Sequence, residues 1–179
     1  MGNVHEVARA VDPEAWVVYA DIDPTAIVHA RQILAGDTRT VFVQANLHDA
    51  TEILGDPQVK ALLDLSRPVC LIMVAILHFL PDTPELHAAL RAYHEALAPG
   101  SVLVVSHATG DVDEVAELYT RTGTPMVLRD RDALAGLLEG WELVEPGLVH
   151  SPSWHPDPAD ELLADPASYA KLAGVAIRP

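Results

Sequence analysis

The chain alternates short apolar stretches with amphipathic stretches, and turn residues separate them. Residues 17–20 form the first apolar stretch, which stops at Asp21 and leads directly into a helical pattern. Asp23 is placed to cap that helix, and Pro24 fits its first position. Thr40–Gln44 is short and rich in β-branched residues, which predicts a second strand. The pattern therefore predicts a strand, a helix and a strand in succession.

The longest apolar run covers residues 68–76. A run without alternation is typical of a central parallel strand that is buried on both faces. An amphipathic helix over residues 84–97 and a strand over residues 101–106 are predicted to follow it. Residues 151–166 are rich in Pro and Asp, which predicts a loop with a short helical turn. The remaining predicted elements are helices over residues 4–11, 51–63 (with a break around residues 55–57), 113–120 and 131–138 and strands over residues 141–144 and 174–177.

Strands and helices alternate over most of the length, and no linker or repeat divides the chain. This order favours one α/β domain over residues 1–179, with a mostly parallel sheet and helices on both faces. Ligands of such sheets bind outside the carboxyl ends of the strands. We therefore expect the functional residues in the loops that leave those ends, over residues 21–23, 46–49, 75–79 and 106–109.

The composition narrows the choice of partners and compartment. A formal net charge of −15 argues against binding to the phosphate backbone of nucleic acids and to anionic membranes. The single cysteine, Cys70, lies within the apolar run, so we expect a buried structural thiol. The sequence shows no basic-then-apolar leader and no apolar run of about 18 residues, which favours a cytoplasmic protein.

Three side chains in the predicted loops carry candidate chemistry. Asp21 ends a strand, where nucleotide-binding sheets hold ribose hydroxyls with a carboxylate; a plain turn residue is the alternative. His78 and His107 both follow buried strands, and each is a candidate general base because histidine titrates near neutral pH. A histidine hydrogen-bonded to the backbone is the alternative for both. No H-E-x-x-H or G-x-S-x-G pattern occurs, and we expect no metal site.

Four motifs relate these loops to a known superfamily. They are Y-A-D-I-D-P from Tyr19, Q-A-N-L-H-D from Gln44, A-I-L-H-F-L-P-D from Ala75 and A-L-A-P-G-S-V-L-V-V-S from Ala96. In this order and spacing they resemble class I S-adenosylmethionine-dependent methyltransferases. Shorter motifs, among them N-V-H-E-V-A, L-D-L-S-R-P-V and W-E-L-V-E-P-G-L-V, resemble an actinobacterial family of such enzymes formerly classed as a domain of unknown function.

The resemblance implies S-adenosyl-L-methionine as the cofactor and a Rossmann-like three-layer sandwich as the fold. It also implies roles for residues in two of the loops. Asp21 would hold the ribose hydroxyls, and Ile22 would pack on the adenine. Asn46 and Leu47 would meet the edge and the face of the adenine.

The chain departs from the superfamily at the methionine end of the cofactor. The resemblance places Ala75 near the methionine moiety and His78 near the methyl group. Members of the superfamily carry a first strand and a Gly-rich loop before the opening helix, and here only Gly2 and Asn3 stand in that place. The expected sheet therefore lacks its first strand, either through truncation or in a natural short form. An unpaired strand edge predicts poor stability or a homo-oligomer.

The sequence thus predicts an S-adenosylmethionine-dependent methyltransferase that acts on a small molecule by direct transfer, and that is inactive as it stands if truncation has removed part of the site. The absence of a basic patch and of an Asn-Pro-Pro-Tyr type loop weighs against nucleic-acid and protein-amide acceptors. An NAD-dependent Rossmann oxidoreductase is one alternative, because Asp21 would equally bind the ribose of NAD, although no Tyr-x-x-x-Lys pair is present. A non-catalytic oligomerisation or regulatory module of methyltransferase fold is the other.

Overall fold

The computed structural model describes residues 2–110, 126–156 and 168–179. The chain divides into two compact units, residues 1–66 and 67–179, and each has its own strands and its own buried side chains. The single domain expected over residues 1–179 stays a prediction.

The first unit contains a parallel pair of strands. In chain order it consists of α1 (Val4–Val11), β1 (Val17–Asp21), α2 (Pro24–Ile33), β2 (Thr40–Gln44), α3 (Ala50–Gly55) and α4 (Pro57–Leu62). β1 and β2 pair in register from Val17 opposite Thr40 to Asp21 opposite Gln44. Helices α2 and α4 pack against both strands. The buried apolar side chains of this unit are Ile27, Val43, Ala50, Ile53 and Val59.

Aspartate caps explain where two of these helices begin. Asp23 Oδ1 accepts a hydrogen bond from Thr25 N at 2.7 Å at the start of α2. Asp56 Oδ1 accepts one from Gln58 N at 2.7 Å at the start of α4. A proline follows each cap, at the helix position where no N–H is needed. The helix predicted over residues 51–63 is accordingly interrupted, and α3 and α4 are its two parts.

A half-buried ion pair joins α1 to the segment before β2. Arg9 Nη1 lies 2.6 Å from Asp37 Oδ2, and Arg9 Nη2 donates to Thr40 Oγ1 at 2.8 Å. The Arg9 guanidinium and the Thr40 hydroxyl hold the pKa of the Asp37 carboxyl well below its usual range. The same helix reaches β1, because His5 N donates to Tyr19 Oη at 3.0 Å.

The second unit contains a mixed sheet. Its described elements are β3 (Cys70–Val74), a 3-10 turn (Leu77–Phe79), α5 (Pro84–Ala96), β4 (Val102–Ala108), α6 (Arg131–Gly136), β5 (Glu142–Leu143), β6 (Val149–His150), a second 3-10 turn (Ser151–Ser153) and β7 (Lys171–Ile177). The strand order is β3-β4-β7-β5, and β6 also pairs with β7. β3 is parallel to β4, whereas β7 is antiparallel to β4, β5 and β6. The predicted predominance of parallel strands is therefore not confirmed.

Strand β3 buries only one of its faces. Met73 is 2% exposed, whereas Ile72 and Val74 are 44% and 52% exposed and Cys70 is exposed as well. Successive side chains of a strand point to opposite faces, so the three exposed side chains share one face. The predictions of a strand buried on both faces and of a buried Cys70 thiol are therefore wrong. An apolar run shows that the residues of a strand are hydrophobic. It does not show which face of the strand is covered by neighbouring elements.

Other sequence predictions differ from the structure in extent. The strand predicted over residues 174–177 covers Lys171–Ile177, because it pairs along the whole length of β4. The helix predicted over residues 113–120 lies outside the described residues. Of the loop predicted over residues 151–166, only the part up to residue 156 is described, and it opens with the second 3-10 turn.

Candidate functional site

Asp21 lies at the carboxyl edge of the first unit's strand pair, as the last residue of β1. Its side chain is exposed, and Oδ1 accepts a hydrogen bond from Asp23 N at 2.9 Å. This bond ties the carboxylate to the start of α2. A carboxylate offers about four lone-pair sites on its two oxygens, so Oδ2 retains acceptor capacity for a ligand hydroxyl.

Ile22 and the turn after β2 lie at the same edge. Ile22 is a large apolar residue that is nevertheless 62% exposed, and Gln44 Nε2 donates to its carbonyl at 3.4 Å. Asn46 Oδ1 accepts from His48 N at 3.0 Å and closes a turn in which Leu47 is half-buried. The parallel register of β1 and β2 thus brings together the predicted residues that follow them, namely Asp21, Ile22, Asn46 and Leu47.

Gly2 and Asn3 stand at the start of α1. Asn3 N donates to Glu6 Oε2 at 2.6 Å, and Asn3 Nδ2 donates to the same oxygen at 3.2 Å. These are the contacts of a helix cap. The cofactor-binding role expected for Asn3 and for Gly2 stays a prediction.

Ala75 follows β3 in a left-handed backbone conformation, with a φ of 56°. Its N–H lies 3.2 Å from Ser106 O and 3.1 Å from Ser106 Oγ, so β4 holds the strained peptide in place. This conformation costs a residue with a Cβ about 1–2 kcal/mol. Strained residues cluster at ligand sites, and Ala75 is the residue that the sequence analysis assigns to the cofactor in this unit.

His78 lies in the 3-10 turn after β3 and is 5% exposed. Its Nδ1 is buried and has no hydrogen-bond partner among the residues that the structure describes. The rings of His78 and Phe79 lie against each other, with centroids 4.3 Å apart. Burial lowers the pKa of His78, and the charges of Lys171 and Arg129 lower it further. The imidazole is therefore neutral at neutral pH, with one ring nitrogen unsatisfied.

His107, on β4, is fully buried, and both of its ring nitrogens are engaged. Nδ1 lies 2.6 Å from Ala108 O, and Nε2 lies 3.0 Å from Arg129 Nη1. A carbonyl only accepts and a guanidinium only donates, so the proton is on Nδ1 and Nε2 is the acceptor. Burial is the main reason why the pKa of His107 falls to about 4. This geometry favours the alternative of a histidine that is hydrogen-bonded within the protein. The role of His107 as a general base stays a prediction.

Arg129 completes this cluster, and the sequence analysis did not single it out. It is 4% exposed. Nη1 donates to Leu77 O at 3.0 Å and Nη2 donates to Leu80 O at 2.9 Å, so the guanidinium binds both ends of the turn that carries His78. The only sequence signal is an arginine directly after the apolar residues 126–128, and that pattern does not separate a buried arginine from a surface one.

The two histidines predicted as catalytic are neighbours. Their ring centroids are 5.6 Å apart, and the ring planes are nearly perpendicular, at 84°. Of the pair, His78 has the buried nitrogen without a partner, whereas His107 uses both nitrogens within the protein.

Residues 2–110, 126–156 and 168–179 show neither a metal site nor a membrane-spanning helix. No group of three or more His, Cys, Asp or Glu side chains in those ranges is arranged to hold a metal ion. None of the helices described there is long and apolar enough to cross a bilayer.

Known proteins resemble this chain over its full length. A family model described as S-adenosyl methyltransferase matches residues 1–179. A DUF574 family protein from Streptomyces avermitilis is 37% identical, with a TM-score of 0.90, and the match covers 99% of this chain and 70% of that one. A candidate methyltransferase from Thermobifida fusca is 33% identical, with a TM-score of 0.87 and the same coverage of 99% and 70%. The rest of each of those two chains has no counterpart here.

A more distant structure supports the fold class. The N-methyltransferase NodS from Bradyrhizobium japonicum, solved in complex with S-adenosyl-L-homocysteine, is 16% identical with a TM-score of 0.57. The match covers 96% of this chain and 71% of that one. At this identity the likeness concerns the fold alone, and it agrees with the α/β, Rossmann-like class predicted from the sequence. Among curated proteins, none matches the chain with significance.

Proposed function

Because the chain belongs to the S-adenosyl methyltransferase family, with S-adenosyl-L-methionine as the cofactor, we propose that it methylates a small molecule by direct transfer. The observation that carries the proposal is the carboxyl edge of β1 and β2. There the carboxylate of Asp21 has acceptor capacity on Oδ2, beside the exposed side chain of Ile22. A hydroxyl-binding carboxylate next to an apolar surface suits a nucleoside.

The residues at this edge fit the nucleoside half of the cofactor. Asp21 would accept hydrogen bonds from the ribose hydroxyls, and Ile22 would cover one face of the adenine. Leu47 would contact the other face. Because Asn46 Oδ1 is engaged with His48 N, the Nδ2 amide of Asn46 is the group that would donate to an adenine ring nitrogen.

The resemblance assigns three backbone positions to the methionine half of the cofactor, one in the second unit and two in the first. Ala75 is the first, because its left-handed turn leads the chain away from the end of β3. Gly2 and Asn3 are the other two positions, at the start of α1. They are close in sequence to His5, whose N–H donates to Tyr19 Oη. Gly2 has no Cβ, which allows its backbone to approach a ligand closely.

The chemistry needs little from the protein beyond placement and a proton acceptor. When bound, S-adenosyl-L-methionine supplies a methyl group on a positively charged sulfur, open to in-line displacement. An acceptor that carries a proton on its nucleophilic atom also needs a base. We assign that role to His78, because burial keeps its imidazole neutral and, among the described residues, its Nδ1 has no partner.

A small molecule is the acceptor class that the charge supports. A formal net charge of −15 repels the phosphate backbone, whose binding requires clustered lysine and arginine. The cytoplasmic location expected from the sequence stays a prediction.

We also propose that the chain self-associates through an apolar face of the second unit. In the sheet register Cys70 lies opposite Val102, and Val102 lies opposite Ile177, so these side chains share one face with Ile72 and Val74. Ile72, Val74 and Ile177 are 44%, 52% and 40% exposed. Contiguous exposed apolar side chains of this kind mark interaction sites.

Transfer of tritiated methyl groups tests the proposed function. The chain is incubated with methyl-labelled S-adenosylmethionine and with a cell extract separated into small-molecule, protein and nucleic-acid pools. We expect label in the small-molecule pool. Label confined to protein or nucleic acid would contradict the acceptor class, and no label in any pool together with no binding of the cofactor would contradict the function itself.

A further inference from the structure

Arg129 is a buried cation whose hydrogen bonds, within the described residues, all go to neutral groups. Nη1 donates to Leu77 O and to His107 Nε2, both at 3.0 Å, and Nη2 donates to Leu80 O at 2.9 Å. None of the ion pairs found in the described residues includes it. Burial lowers the pKa of Arg129, because taking a guanidinium out of water is costly, and the charge of Asp82 acts in the opposite direction. The role of this buried guanidinium therefore lies in the groups that it contacts.

We propose that Arg129 is a positioning residue, which holds both ends of the turn around His78 and fixes the proton of His107 on Nδ1. Arg129 thereby holds the turn in which Nδ1 of His78 lies buried without a partner among the described residues, and the proposed function assigns proton acceptance to that nitrogen. The part about the acceptor rests on the proposed function, whereas the positioning rests on the geometry alone.

Three carbonyls of the turn around His78 accept hydrogen bonds from the segment 127–129. Leu77 O and Leu80 O, which lie on either side of His78, bind the two terminal nitrogens of Arg129. The carbonyl of His78 itself accepts from Val127 N at 2.7 Å. A planar guanidinium presents its N–H donors in a fixed fork and can span two carbonyls at once, whereas an ammonium is a single point. The segment 127–129 therefore sets where the ring of His78 stands.

The contact with His107 removes a competing charge. While Arg129 donates to Nε2 of His107, that nitrogen cannot take up a proton. Burial is the main cause that lowers the pKa of His107 to about 4, and the charge of Arg129 lowers it further. A protonated His107 would add a positive charge beside His78, on which Lys171 and Arg129 already act. It would lower the basicity of His78 further, so by keeping His107 neutral the arginine limits the positive charge acting on His78 to its own and that of Lys171.

Nitrogen NMR of protein with isotope-labelled histidine tests the positioning without any methyl acceptor. In the wild type we expect His107 to keep a protonated Nδ1 and a bare Nε2 from about pH 8 down to about pH 5. In Arg129→Met we expect the pKa of His107 to rise by about one unit or more, because a donor and a charge are lost. The signals of His78 should shift as well, because the turn loses two of its bonds.

Two further variants make the result specific. Arg129→Lys keeps the charge and one donor, so we expect the tautomer of His107 to persist while the signals of His78 still change. Arg131→Met removes an exposed arginine two residues away and should change neither histidine. Because Arg129→Lys disturbs the core less, it decides the matter if Arg129→Met does not fold.

Three outcomes would overturn the inference. They are a proton on Nε2 of His107 in the wild type, unchanged titration of both histidines in folded Arg129→Met, and unchanged signals of His78 in Arg129→Lys. Failure of the proposed function is detected by a different measurement, calorimetry. It would appear as a lack of S-adenosylmethionine binding by a protein whose histidine NMR signals behave as expected.

Discussion

Nη1 of Arg129 lies 3.0 Å from Nε2 of His107, and both side chains are buried. The guanidinium is always the donor in this contact, so the histidine must present a lone pair. Protonation of His107 would break the bond and place a second positive charge in a buried cluster. The contact therefore makes the stability of the second unit depend on pH.

Stability should fall as the pH drops from about 6.5 to about 4. Over this window unfolded His107, with its ordinary pKa of 6.5, binds a proton that the folded form, with a pKa of about 4, does not. The contribution, about 3 kcal/mol, is fully present above the upper value and is lost through the window. Urea unfolding at about pH 7 and about pH 5 measures the part of it, about 2 kcal/mol, that is lost in that interval. His107→Asn should lose less stability between the two pH values than the wild type, and equal losses would contradict the account.

Arg9→Gln should destabilise the first unit by about 1–2 kcal/mol. The ion pair of Arg9 with Asp37 is mostly buried, since the two side chains are 22% and 21% exposed. Arg39→Gln is the matched control, because Arg39 and its partner Glu14 are 40% and 76% exposed. Exposed pairs contribute about 0–1 kcal/mol, so the control should cost less. Equal losses of unfolding free energy for the two variants would show that burial of the pair does not matter.

Ala75→Gly should leave stability unchanged or raise it by up to about 1 kcal/mol, whereas Ala75→Val should lower it by about 1–3 kcal/mol. Ala75 has a φ of 56°, which glycine adopts freely and which is hardest for a β-branched residue. Thermal and urea unfolding of the three proteins give the order. A valine variant as stable as the wild type would mean that the left-handed turn is not present in solution.

Sequence patterns located the first unit's edge because its residues follow their strands directly. The strand that ends at Asp21 and the cap at Asp23 are set by neighbouring residues, so local chemistry was enough to find them. The same holds for Asn46, whose turn closes within two residues, at His48.

The second unit's cluster could not be found in the same way. Arg129 binds Leu77 O across 52 residues of sequence and His107 across 22, and no local pattern encodes contacts of that range. The exposed face of Ile72 and Val74 escaped prediction for a related reason, since burial depends on which element covers a strand and not on the strand alone.

Self-association of the chain should be reduced by a charge on that exposed face. Val74→Lys places an ammonium at a position that is 52% exposed among apolar neighbours. Val28→Lys is the control, at a residue on α2 that is 58% exposed. Sedimentation velocity over a concentration series should show oligomers in the wild type and in the control and fewer of them in Val74→Lys. A wild type that is monomeric at all concentrations would contradict the proposal.

Calorimetric titration with S-adenosylmethionine, and separately with NAD, tests the central claim most directly. We predict that S-adenosylmethionine binds and that NAD does not. Asp21→Ala should weaken the binding by about tenfold or more, because a charged hydrogen bond is lost. Asp23→Ser, which retains a helix cap, should leave the affinity within about twofold. Binding of NAD without binding of S-adenosylmethionine would contradict the account, and so would the absence of binding by either.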